Sequence, residues 1–105
     1  LPKDMGVGLF FFATVAEAMQ ATVEFLDLEP AAVEHIDDVL FDQTRGQLQF
    51  QAARDLLELD TRPCTSILIV EFFENVDEKL AALASRNIGL RKLITRDKKE
   101  LGHIW

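Results

Sequence analysis

Met5-Gly6-Val7-Gly8-Leu9-Phe10-Phe11-Phe12 is an unbroken apolar run, closed by Ala13 and Thr14. A short apolar run enriched in aromatic residues reads as a buried strand. Its counterpart is residues 66–73, SILIVEFF, apolar after its serine except at Glu71. Two further stretches alternate and carry charge, AVEHI at residues 32–36 and RKLIT at residues 91–95. Charged, alternating strands suit sheet edges, where they discourage pairing with another chain. The apolar runs therefore take the centre of a sheet and the charged ones its rims.

Helices fill the intervals. Thr14-Val15-Ala16-Glu17 has the form of a capping box. Val15, Ala18, Met19, Thr22 and Leu26 follow at helical spacing, as one core-facing stripe. Asp37 and Asp38 cap a short helix through Val39, Leu40 and Phe41, and Gly46 breaks it. A helix resumes from Leu48 to Leu59, with Leu48, Ala52, Leu56 and Leu59 on one side, and Asp60 to Pro63 forms a turn. Asn75 and Glu78 open another helix with Val76, Leu80, Leu83, Ala84 and Asn87 as its stripe, and Gly89 ends it. Asp97 caps a last helix. With residues 37–59 set aside as an insertion between strands 2 and 3, the order is β-α-β-β-α-β. This is the ferredoxin-like α+β arrangement, a four-stranded antiparallel sheet with residues 5–12 and 66–73 adjacent at its centre.

An antiparallel sheet with helices on one face should alternate apolar and polar residues. Both central runs are apolar on both faces. Phe10, Phe12, Ile67 and Ile69 are assigned to one face, and Leu9, Phe11, Leu68 and Val70 to the other. Each large side chain left exposed forgoes roughly 2 kcal/mol of burial. The second face is therefore expected to need a cover: a second copy, a substrate or further chain. The competing outcome is that residues 37–59 fold across it.

The 105 residues are 49% hydrophobic, which supports a core and excludes a disordered chain. A net charge of −7 with scattered lysines and arginines excludes a nucleic-acid partner. The single Cys64 excludes an intramolecular disulfide and points to a reduced, cytoplasmic setting. No apolar run reaches the roughly 18 residues of a membrane-spanning helix. Leu1-Pro2-Lys3-Asp4 has no signal-peptide layout, Ile104-Trp105 stops within an amphipathic pattern, and both ends read as cuts.

His35 beside Asp37 and Asp38 suggests a metal site, but a strand over residues 32–36 makes the side chains diverge and leaves the aspartates as helix caps. His103, near Lys99 and Glu100, reads as a solvated or interface residue. Glu71 is the polar anomaly of a central strand. It is read either as a strand-end carboxylate reaching water or backbone, or as a contact to a neighbouring domain. Cys64 has only Arg62 as a basic neighbour in sequence and reads as unreactive. Gly6 and Gly8 lie within a strand, where they serve close packing or a bulge and not a phosphate loop. Phe10 to Phe12 read as core, because no basic residues surround them as in a base-stacking platform.

LPKDMGVGLFFFATVAEAMQATVEFL (residues 1–26), EPAAVEHIDDVL (29–40), SILIVEFF (66–73) and ELGHIW (100–105) together resemble the C-terminal, or cap, domain of FAD-linked oxidases. That group includes glycolate oxidase flavoprotein subunits, D-lactate dehydrogenases and D-2-hydroxyglutarate dehydrogenases. The family's leucine-proline junction before an apolar strand is matched at Leu1-Pro2. Its proline-alanine-alanine-valine-glutamate segment is matched from Pro30 to Asp37, and its valine-glutamate-phenylalanine strand from Leu68 to Phe72. The resemblance implies a parent flavoenzyme oxidising a small 2-hydroxy acid such as lactate or glycolate. Residues 1–105 would be a partial cap domain, truncated at both ends and inactive alone.

It also implies no catalytic, cofactor-binding or metal residue in this segment. In the family, FAD is held mainly by an N-terminal domain through a glycine-rich loop that has no counterpart here. Trp105 matches the start of the family's tryptophan-x-x-arginine segment, whose arginine meets the substrate carboxylate. The later histidine and glycine-aspartate-glycine-asparagine motif is absent from these residues. The implied partners are the remaining cap and flavin domains. The alternative is an independent ferredoxin-like module that binds a small molecule or dimerises through its sheet face.

Overall fold

In the computed structural model, which describes residues 4–43 and 45–97 apart from the side chains at 40, 41 and 48, four strands form one antiparallel sheet. They are β1 (Gly6–Phe12), β2 (Ala32–Asp37), β3 (Ser66–Phe72) and β4 (Arg91–Thr95), in the order β2-β3-β1-β4. Every residue of β1 and β3 is buried, whereas β2 and β4 are half-buried or exposed along most of their length. The helices are α1 (Val15–Phe25), α2 (Asp38–Gln43), α3 (Leu48–Leu56) and α4 (Val76–Ala84). The domain is α+β and ferredoxin-like, with α2 and α3 inserted between the second and third strands. Asp37 ends β2, and the helix begins at Asp38.

The register corrects the expected division of faces. Phe10 pairs with Leu68 and Gly8 with Val70, so Phe10 and Phe12 share a face with Leu68, Val70 and Phe72. Leu9 and Phe11 share the other face with Ile67 and Ile69. Alternation within a strand is visible in sequence. Which face of one strand continues which face of the next depends on register, and a one-residue slip reverses it.

On the first face α1 and α4 cover the sheet. Phe10, Phe12, Leu68, Val70 and Phe72 pack with Ala18, Ala21 and Phe25 of α1 and with Val76, Leu80 and Leu83 of α4. The Phe10 and Phe25 rings lie 4.7 Å apart and tilted. The stripe expected on α1 is therefore displaced. Ala18 is buried, Thr22 is half-buried with its hydroxyl donating to the Ala18 oxygen, and Val15, Met19 and Leu26 are exposed. Small residues win the inner face because the sheet surface is already filled by phenylalanines. Val76, Leu80 and Leu83 of α4 face inward as expected, while Ala84 and Asn87 are exposed.

A Cβ on Gly6 would lie 2.5 Å from Val76 Cγ1, and one on Gly8 would be closer still to Leu83 Cδ2. The two glycines thus let α4 seat directly on β1. Gly89 does not end α4, which stops at Ala84. It sits at φ +78 in the turn into β4, where the Leu90 amide donates to the Phe11 oxygen at 2.7 Å.

Thr14 caps α1 as its sequence suggests. Its Oγ1 accepts from the Glu17 amide at 3.2 Å and donates to the Glu17 carboxylate at 3.0 Å. Thr14→Ala is expected to destabilise the domain by about 1 kcal/mol in thermal unfolding. An unchanged melting temperature would mean that this bond contributes nothing. Asn75 precedes α4 in a left-handed conformation, φ 51, and its side chain makes no capping bond.

The second face is buried by the chain itself, which corrects the expected exposure. Phe11 is 0%, Ile67 1% and Ile69 3% exposed. Met5, Val7 and Leu9 complete this layer, and Ile36, Leu57, Leu59, Cys64 and Leu93 pack against it. The insertion thus contributes Leu57 and Leu59 to the cover. α3 ends at Leu56 rather than continuing to Leu59, and Glu58 turns the chain at φ 55. Leu56 and Leu59 are half-buried and Ala52 is exposed. The unforeseen inner residue of α3 is Arg54, 2% exposed and forked onto Asp60 at 2.6 and 3.3 Å.

Candidate functional site

Directly opposed residues in an antiparallel pair share a face. Ala32 opposes Glu71, Glu71 opposes Val7, and Val7 opposes Thr95, so these four form a row across the second face near one end of the sheet. Glu34 opposes Ile69 in the next row and is thus a diagonal neighbour of Glu71. Glu71 is 6% exposed, and no hydrogen bond or ion pair reaches its carboxylate among the described residues. Burial, and after it the Glu34 carboxylate, push the Glu71 carboxyl above its usual range. Sequence singled out Glu71. It did not identify Glu34 as its neighbour, because only the β2–β3 register brings them together.

At the other end of the same face Arg91 opposes Phe11, and its guanidinium stacks 3.7 Å from the ring centroid. It also donates to the Arg62 backbone oxygen at 2.8 Å. Cys64 packs against this layer. Burial raises its thiol, Arg91 partly opposes the rise and Asp38 adds to it, so the thiol is the dominant form at neutral pH. Arg91 is the basic neighbour that sequence distance concealed.

His35 is exposed on β2 opposite Leu68, on the helix-covered face, with Asp37 at the strand end and Asp38 in α2. No group of three or more His, Cys, Asp and Glu side chains capable of holding a metal occurs among the described residues. His103, Trp105 and the helix expected after Asp97 lie outside the described residues. The Asp97 amide donates to Thr95 Oγ1 at 3.0 Å.

A shallow cleft on the helix side runs between the 3-10 turn at Leu26–Leu28 and α4, lined by Asp27, Glu29, Asn75, Glu78 and Lys79. Lys79 spans it, donating to the Glu29 oxygen at 3.2 Å with its ammonium 5.6 Å from the Phe72 ring. This cleft is rimmed by carboxylates and holds one internal cation, so it offers no phosphate cradle. Gly6 and Gly8 offer none either, since Val76, Leu80 and Leu83 fill the space above them. The described residues therefore do not fit a flavin pyrophosphate site. Among them no helix is long and apolar enough to cross a membrane.

These features define an α+β domain of split βαβ type whose most unusual polar group projects from a central strand. The chain belongs to the family of FAD linked oxidases, C-terminal domain, which it matches over residues 1–105. No curated protein matches it. Membership brings a flavin oxidoreductase context.

Proposed function

We propose that this domain is a cap segment of an FAD-dependent oxidoreductase acting on a small 2-hydroxy acid such as lactate or glycolate, in a reduced, cytoplasmic setting. Family membership across the whole chain carries the reading. When bound, FAD accepts the electrons that leave the carbinol carbon as a hydroxy acid becomes an oxo acid. FAD is held by another domain, and this one supplies a rigid wall: two filled layers on either side of a sheet whose central strands are entirely buried. Its partners are the remaining cap and the flavin-binding domain.

The test uses the full flavoprotein that contains this domain beside the 105-residue chain. The full protein should show flavin absorbance that bleaches anaerobically with lactate, glycolate or 2-hydroxyglutarate. The 105-residue chain should retain no flavin and turn over none of the three with FAD added. Turnover by the short chain would overturn the reading.

A second reading, a self-associating module, draws on Val15, Met19, Val23 and Leu26. These lie on adjoining turns along one side of α1 and its 3-10 extension, and are exposed by 43, 43, 65 and 58%. Against it stand Glu17, Glu24 and Asp27 on the same segment and the net charge of −7, which repel a second copy. Sedimentation at several concentrations separates the two, since association that grows with salt and vanishes in Val23→Asp would favour the module.

A further inference from the structure

We propose that the exposed apolar side of α1 seats a second amphipathic helix, bordered by lysine and arginine, from the same polypeptide outside these 105 residues. The proposal rests on the cap reading above and adds to it the surface by which the remaining cap is held.

Val15, Met19, Val23 and Leu26 recur at helical spacing through α1 and its 3-10 extension and stay 43, 43, 65 and 58% exposed. At roughly 100° per residue they form a strip about 80° wide, beside the inner side made by Ala18, Ala21 and Phe25. The strip is a ridge of the i, i+4 kind about 17 Å long, which another helix can meet ridge into groove.

Area decides where the occupant comes from. These four residues expose about 400 Å², a patch of functional size but only half of the roughly 800 Å² that each partner of a stable complex contributes. A separate molecule, a second copy included, finds too little here to stay bound. A segment tethered in the same chain needs less, because the tether holds it at roughly millimolar effective concentration. Interfaces between domains of one chain begin at about 600 Å² in total, which a strip of this size and its counterpart supply.

Charge decides what kind of helix fits. Between Lys3 and Arg45 the sequence contains no lysine or arginine, and Gln20, Glu24 and Asp27 border the strip. Arg86 pairs with Asp27 at 2.8 Å, but the Glu24 carboxylate, next to Val23, has no partner among the described residues. An acidic border without bases of its own attracts a basic-bordered helix and repels an acidic one.

The test is thiol labelling of Val23→Cys in the full flavoprotein that contains this domain. Val23 is mostly exposed, so the substitution leaves the fold of this domain intact. The new thiol should react at least about tenfold more slowly in the native protein than in the same protein unfolded, at every protein concentration. Adding Gln20→Lys and Glu24→Lys, both at exposed positions, should abolish most of that protection. Slowing of less than tenfold overturns the proposal, since the strip would then be open. Protection that grows with protein concentration overturns it in favour of a second copy, and protection that survives the added lysines overturns the basic helix. Flavin absorbance and substrate bleaching in the same sample report on the cap reading independently. A flavoprotein whose strip is open sinks only the docking, and a protected strip in a protein without flavin sinks only the cap reading.

Discussion

Gly8→Val is expected to lower the stability of the domain by about 3 kcal/mol, a large share of the roughly 5–15 kcal/mol that holds a domain of this size together. The melting temperature should fall by on the order of 15 °C. The new Cβ would meet Leu83 Cδ2, and Leu83 is itself 0% exposed, so the leucine has no free space into which to turn. Ile94 Cδ1 stands 3.1 Å away and blocks a second direction. Relief requires α4 to lift from β1, which opens the layer formed by Val76 and Leu80. Thermal unfolding followed by circular dichroism checks the size of the effect. Adding Leu83→Ala should make the double variant markedly less unstable than the sum of the two changes, because the truncation removes the colliding atoms. Strict additivity would mean that the helix does not rest on Gly8. Gly46→Ala is the control for strain alone, since it has φ +77 and nothing within 4 Å of its would-be Cβ.

Glu71→Gln is expected to stabilise the 105-residue chain at pH 7 by no more than about 1 kcal/mol and to leave it unchanged near pH 3. Burial, with Glu34 alongside, raises the carboxyl in the folded state above its usual value of 4.5. The fold consequently holds this proton more tightly than the unfolded chain does. Stability from this group is complete below the unfolded pKa and is lost as pH climbs through the folded one. Most carboxylates, including Asp60, which Arg54 holds below its ordinary range, act in the opposite sense. The difference between wild type and the glutamine variant isolates Glu71 from that background. Melting temperatures of both proteins from pH 3 to pH 8 check it. A gap that shrinks as pH rises would contradict the assignment.

The strands were legible because their character is set locally. GVGLFFF and SILIVEF leave no polar side for water, and AVEHI and RKLIT cannot sit buried on both faces. What sequence could not supply was the offset between strands, and with it the pairing of Phe10 with Leu68 and the proximity of Glu34 to Glu71. On α1 two stripes fit the helical period equally well. The larger residues, Val15 and Met19, are the natural choice for a core, yet the sheet beneath admits only Ala18 and Ala21 before Phe25. Arg54 was unreadable for another reason. A buried guanidinium depends on a carboxylate six residues onward whose position follows from the turn at Glu58.

The bridge from Arg96 to Asp4 and Asp77 has a mechanical consequence. Val7 pairs with Thr95 in adjacent antiparallel strands, so residues 4 and 97 leave the sheet at the same end. Tension applied there pulls perpendicular to the β1–β4 ladder and loads its hydrogen bonds one rung at a time, unlike shear, which loads all rungs together. The Arg96 contacts stand first in the line of force. Once they part, β4 can peel from its edge while β1, β3 and the layers packed on either face of them stay assembled. A domain built this way resists heat through its core and yields to traction through its rim.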